Sequence, residues 1–123
     1  MDEPTDSAPT AGPALRVVSG TVSFRERVAL PPGAVVTVRV ADVSRADAAA
    51  LVLAQNAFEV TGQAPIPFEL AVDAADVDER ADIAVWARLR SAVGTWVSDT
   101  HTPVLTRGAG DNADVVVRRS TEA

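Results

Sequence analysis

Apolar and polar positions alternate in twos along most of this chain. The clearest stretch runs from 17 to 43, V-V-S-G-T-V-S-F-R-E-R-V-A-L-P-P-G-A-V-V-T-V-R-V-A-D-V. On an extended ribbon Val18, Val22, Phe24 and Val28 share one face, and Ser19, Thr21, Ser23, Arg25 and Arg27 share the other. Gly20 interrupts the run and marks either a bulge or a close packing contact. Leu30-Pro31-Pro32-Gly33-Ala34 reads as a type II turn, with proline second and glycine third, where positive φ is required. Beyond it Val36, Val38 and Val40 point inward and Thr37 and Arg39 outward. Val35 and Val43 break the polarity of that outer face and are expected to lie under an edge or a partner.

The same alternation recurs downstream. Ile66, Phe68, Leu70 and Val72 alternate with Pro65, Pro67, Glu69 and Ala71. Proline cannot donate to a ladder, so this strand begins on a sheet edge or outside the pairing; Phe68 is a predicted core residue. Ile83, Val85, Ala87 and Leu89 face inward, and Trp86, Arg88 and Arg90 outward. Residues 91–94 close a hairpin, and 95–100 return with Trp96 and Val97 on opposite faces. Residues 103–106 extend this arm, 107–112 form a flexible turn, and 113–118 form a last strand. The segment 51–60 is rich enough in alanine and leucine to permit a helix, but its neighbours are strands and it is assigned as one. The connection 44–49 is polar, or else a single helical turn capped by Ser44 with Asp47 as its third-position carboxylate. The acidic stretch 73–82 is a turn with at most one helical turn.

This pattern predicts an all-β protein, a single Ig-like or transthyretin-like antiparallel β-sandwich of about seven strands over residues 15–119. Residues 1–14 lack periodicity and read as a disordered N-terminal tail or tether, and 120–123 as a short C-terminal tail. Antibody hallmarks are missing: there is no Cys…Trp…Cys pattern and no tyrosine.

Composition narrows the chemistry. The chain has 123 residues, a one-domain length, and is 47% hydrophobic with 4% aromatics, so its core must be mostly aliphatic. Valine suits strands. Without cysteine there is no disulfide, thiolate metal site or cysteine nucleophile. All basic residues are arginine, which excludes lysine chemistry. The net charge of −6 argues against nucleic-acid binding, where phosphate neutralisation dominates, and against anionic lipid surfaces. No apolar run approaches the ~20 residues of a membrane span. The acidic start, M-D-E-P-T-D, has no apolar export segment. It fits a cytoplasmic chain as written, and equally a periplasm-facing one whose export segment was removed.

Candidate sites are few. Ser98, Asp99 and His101 invite a triad, but in a strand Ser98 points away from the other two. Asp76 and Asp78, with Asp111 and Asp114, are weak calcium candidates; the spacing fails the EF-hand pattern. Trp86 and Trp96 lie on adjacent strands of the predicted hairpin. If both face outward they form an aromatic patch flanked by Arg88 and Arg90, suited to a protein interface or a sugar. Otherwise one or both belong to the core, which suits tryptophan's usual burial. Arg39, Arg88 and Arg90 are expected to pair with Glu26, Glu69 or Asp42 across strands. No cofactor is implied.

Taken together, 18–48 (V-S-G-T-V-S-F-R-E-R-V-A-L-P-P-G-A-V-V-T-V-R-V-A-D-V-S-R-A-D-A), 65–70 (P-I-P-F-E-L) and 98–108 (S-D-T-H-T-P-V-L-T-R-G) resemble the YbaY/YscW family. That family comprises small bacterial envelope lipoproteins and the lipoprotein chaperones, or pilotins, of type III secretion. The resemblance implies a compact β-sandwich, no enzymatic activity, a cell-envelope location and, in the pilotin branch, an outer-membrane secretin as protein partner. Family lipoproteins carry an acylated cysteine, which this sequence lacks. The expected function is a non-enzymatic module that binds a protein through a strand edge or the Trp86/Trp96 face. A carbohydrate- or calcium-binding accessory domain is the alternative, and a hydrolase ranks last.

Overall fold

The computed structural model describes residues 14–45 and 47–120. Its strands are β1 (Leu15–Ser23), β2 (Val35–Asp42), β3 (Leu51–Glu59), β4 (Ile66–Asp73), β5 (Ile83–Ser91), β6 (Gly94–Val97), β7 (Thr102–Pro103), β8 (Asn112–Val116) and β9 (Arg118–Arg119). Seven have four or more residues, in line with the expected architecture; β7 and β9 are two-residue additions. They form two stacked sheets, a smaller one in the order β4-β1-β8 and a larger one in the order β3-β2-β5-β6-β9, with β7 also paired to β5. The segment 51–60 is indeed extended, and it forms the edge strand of the larger sheet.

The inward rows follow the alternation. Val18 and Val22 on β1, Ile66, Phe68, Leu70 and Val72 on β4, and Ala113 and Val115 on β8 face Val36, Val38 and Val40 on β2 and Ile83, Val85, Ala87 and Leu89 on β5. Trp96 is the largest fully buried side chain. Burying each such aliphatic chain is worth about 1.5–3 kcal/mol. Gly33 has φ +95°, as the third position of its turn demands.

One pairing departs from the expected antiparallel arrangement: β1 and β8 run parallel. Chain-order neighbours can pair through hairpins, but a parallel pair requires a crossover. β8 belongs to a ribbon that changes sheets. Val115 lies in the core beside β1, Val117 is 1% exposed at the crossing, and Arg118–Arg119 pair with β6 in the other sheet. Gly20 makes this possible. It sits opposite Ala113, and a Cβ there would lie 1.7 Å from the Ala113 carbonyl oxygen, so the close-contact reading of this glycine holds.

Two local expectations change, at β1 and Ser44, and one, the single turn of the acidic stretch, holds. β1 stops at Ser23, and 24–29 form an irregular strap, because Phe24 turns to stack on Trp96 with ring centroids 5.0 Å apart. Ser44 caps no helical turn; its hydroxyl accepts the Asp82 N–H at 2.8 Å, tying two loops together. The acidic stretch holds a 3-10 turn, Ala74–Asp76, whose Ala75 N–H is capped by the Asp73 carboxylate. The expected tails at 1–14 and 120–123 lie outside the described residues except for Ala14 and Ser120.

Chemical denaturation checks this account. Gly20→Ala is expected to cost about 1–3 kcal/mol by forcing β8 away from β1. Gly62→Ala, which meets open space, should stay within about 0.5 kcal/mol of the parent. Phe68→Ala should cost about 3–5 kcal/mol.

Candidate partner-binding face

The outer face of the larger sheet carries three cross-strand rows set by its register. Gln55, Arg39 and Trp86 lie side by side in the first; Ala57, Thr37, Arg88 and Val97 in the second; Glu59, Val35, Arg90 and Thr95 in the third. Residues two apart on a strand share a face, so β5 presents Trp86, Arg88 and Arg90 together. The Arg39 guanidinium lies 4.5 Å from the Trp86 ring centroid while its Nε donates to the Gln55 side-chain oxygen at 2.8 Å. The Arg88 guanidinium lies 6.0 Å from the same ring. Beyond Trp86 a depression of ≈ 350 Å³ is lined by Gly33, Val35, Thr37, Arg88, Arg90 and Ser91. Among the described residues Val35 is only partly covered; it remains 38% exposed.

The expected carboxylate partners of these arginines are engaged elsewhere. Glu26 accepts the Trp96 indole N–H at 3.0 Å. Asp42 accepts the Ser44 N–H at 2.9 Å, and the Ser44 hydroxyl and N–H hold its carboxyl below the ordinary range. Glu69 belongs to β4, in the other sheet. Among the described residues, Arg88 and Arg90 have no carboxylate in salt-bridge range, and the buried Nε of Arg88 has no hydrogen-bond partner.

The two tryptophans do not form one patch. Trp96 pairs with Leu89 on the core side of the sheet and is 0% exposed, whereas Trp86 is half-buried on the outer side. The offset across the hairpin decides this, since Leu89, not Arg88, stands opposite Trp96. Trp96 is a structural anchor. Phe24 stacks on it, Arg119 lies 5.2 Å from its centroid, and Glu26 receives its N–H. The Glu26 carboxyl is held below its ordinary value by its own backbone N–H first, then by the Trp96 indole and the Arg119 charge.

The rows end at β3, whose outer edge has no strand partner among the described residues. Its sequence L-V-L-A-Q-N-A-F-E contains neither proline nor a basic residue, and Leu51 and Val52 are 64% and 45% exposed. Charged or proline-bearing residues normally blunt such edges. The β4 edge, by contrast, carries Pro67 within the strand and Pro65 just before it.

The other candidates stay apart. The Ser98 hydroxyl donates to the Ala87 carbonyl and accepts its N–H, Asp99 pairs with Arg118 at 2.7 Å, and His101 lines a separate depression with Asp82 and Arg107. Among the described residues no three His, Asp or Glu side chains converge on a point where a metal would sit. Asp76 lies in the 3-10 turn, Asp78 accepts the Arg80 N–H, and Asp114 accepts the Thr21 hydroxyl. Arg39 as the partner of Trp86, and Gln55 behind it, were missed from sequence. The signal lay in strand order, which alternation does not contain.

The class defined by this geometry is a small all-β sandwich with a sheet face and edge left uncovered by the described residues. The chain belongs to the YscW family, described as type III secretion system lipoprotein chaperone, which it matches over residues 13–117. It is 41% identical over 117 residues to the uncharacterized lipoprotein YbaY of Escherichia coli K12, covering 92% of this chain and 61% of that protein; the chain thus spans about three fifths of that relative's length. It is also similar to the solved structure of an alternative pilotin from the type II secretion system of Vibrio cholerae, with TM-score 0.83 and 35% identity over 89% of this chain and all of that one. Among the described residues no helix is long and apolar enough to cross a membrane.

The lowered Glu26 carboxyl has a sign. Its folded form holds the proton less tightly than the unfolded chain does, so its contribution to stability is present above the unfolded value and lost as pH falls through the folded one. Between about pH 5 and pH 3, the denaturation midpoint of the parent is expected to fall more steeply than that of Glu26→Gln. Parallel slopes would show that the Glu26–Trp96 contact contributes nothing in solution.

Proposed function

We propose that this protein is a non-enzymatic partner-binding module of the cell envelope that works as pilotins do, holding a secretin-type protein through the outer surface of its larger sheet. The carrying observation is the set of cross-strand rows that runs from Arg90 and Trp86 across β2 to the edge of β3, which is unpaired among the described residues. A sheet face offers flat aromatic and guanidinium contacts, the composition of interface anchors. An open edge offers main-chain groups for strand addition. Family membership supports the chaperone role, and the pilotin and lipoprotein relatives support the envelope location. No observation favours the carbohydrate or calcium alternative. Arg39 lies against the Trp86 ring that a sugar would need, and the acidic side chains that would hold calcium are dispersed.

Co-purification from detergent-solubilised envelopes tests this reading. The parent is expected to retain a secretin multimer, identified by mass spectrometry. Trp86→Ala should lower the yield at least about tenfold. Val17→Ala, on the outer face of the other sheet, should not. Equal retention by the parent and Trp86→Ala removes the aromatic face from the contact. Loss with Val52→Lys alone moves the contact to the β3 edge.

A further inference from the structure

Charge is divided unevenly over this molecule. Asp73, Asp76, Asp78, Glu79 and Asp82 crowd the connection between β4 and β5, with Arg16 and Arg107 bound among them through Glu79 and Asp82. The hairpin end of β5 has the opposite character. Arg88 and Arg90 stand there beside Arg39, and the third row contributes one acidic residue, Glu59, from the far edge of the sheet. A protein of net charge −6 therefore keeps a cationic surface on one sheet face.

That surface carries two arginines without an anionic partner among the described residues. Arg88 has a buried Nε with no hydrogen-bond partner, and a buried donor without an acceptor is costly. Arg90 is exposed with no carboxylate in range among the described residues. The two guanidinium-bearing residues are spaced roughly 6.6–6.8 Å along β5, a two-residue strand step. Val35 and the Gly33 turn form one side of the depression beside them, and Trp86 lies one row away, its ring centroid 6.0 Å from the Arg88 guanidinium. Guanidinium groups recognise carboxylates through paired hydrogen bonds.

We infer that the Arg88/Arg90 depression, with Trp86 at its border, takes an acidic peptide segment of the partner, carrying two carboxylates a short step apart and an apolar side chain that packs on Val35. This rests on the partner-binding reading above and adds the chemistry of the occupant. A peptide suits the surface better than an anionic membrane does, because the depression is local and sets Val35 beside the two arginines. The acidic connection at the start of β5 would also oppose the approach of a flat anionic bilayer.

The probes are three fluorescently labelled peptides of equal length, each with two leucines and with four glutamates, four glutamines or four lysines at the same positions. Fluorescence anisotropy should show binding of the glutamate peptide only, weakening about tenfold from low to high salt. Arg88→Gln/Arg90→Gln should lose at least about tenfold in affinity, and Arg88→Glu/Arg90→Glu should exchange specificity and bind the lysine peptide. Melting curves for both variants establish that they fold; these outward residues lie off the core. Absence of glutamate-peptide binding, or binding unchanged in both arginine variants, overturns the inference. So does binding to phosphatidylglycerol vesicles with none to the peptide, or peptide binding that needs residues 1–13 removed, which would make the chain's own Asp2, Glu3 and Asp6 the occupant. Secretin retention that depends on Trp86 but not on Arg88 or Arg90 would leave the partner-binding reading standing and end this one.

Discussion

Two sheets whose facing side chains are mostly aliphatic, with valine the commonest, pack together with no disulfide to join them. The ribbon from Asn112 to Arg119 does so instead. It pairs with β1 in one sheet, buries Val115 and Val117, and pairs with β6 in the other. The contact that lets it enter is backbone on backbone, where Gly20 meets Ala113 with no room for a side chain. At the far end of the ribbon Arg119 lies over Trp96 and donates to the Val93 carbonyl at 2.6 Å, closing the hairpin tip. The sandwich is thus held by one shared segment as well as by the apolar area that its sheets bury.

Closing the sandwich in this way leaves its outer surfaces free. The Phe24–Glu26 strap covers Trp96 at one end, and Ser44, Asp82 and Arg107 knit loops together at the other. Among the described residues neither strap nor loop pairs with the Trp86 rows. Glu26 and Asp42 fix Trp96 and the Ser44 loop, and among the described residues Arg88 and Arg90 have no carboxylate in salt-bridge range. The side chains that hold the sandwich together and those that form the outer sheet face are different ones.

Much of the fold was legible in the alternation. The valine rows of β1, β2 and β5, the glycine turn at 33, the core position of Phe68 and the proline-marked edge at β4 all follow from a two-residue period and from what proline and glycine do to a backbone. Membership of the lipoprotein-chaperone family was legible as well, because its motifs are the same turn and strand segments. The aromatic site was read only in half. Period two says that Trp86 and Val85 point oppositely; it does not say how β6 is offset against β5. A single step in that register sends Trp96 into the core and leaves Trp86 alone outside.

By itself the sequence determined an all-β chain, its inward faces, and a chemistry without thiols, lysines or an assembled triad. These are local matters of side-chain type and spacing, and they hold however the strands are ordered. Tertiary structure alone decided that β8 runs parallel to β1, that Arg39 rather than Trp96 partners Trp86, and that Glu26 and Asp42 are engaged away from the arginines. Each of these depends on which distant strands become neighbours and in what register, and a repeating pattern of apolar positions fits many such arrangements.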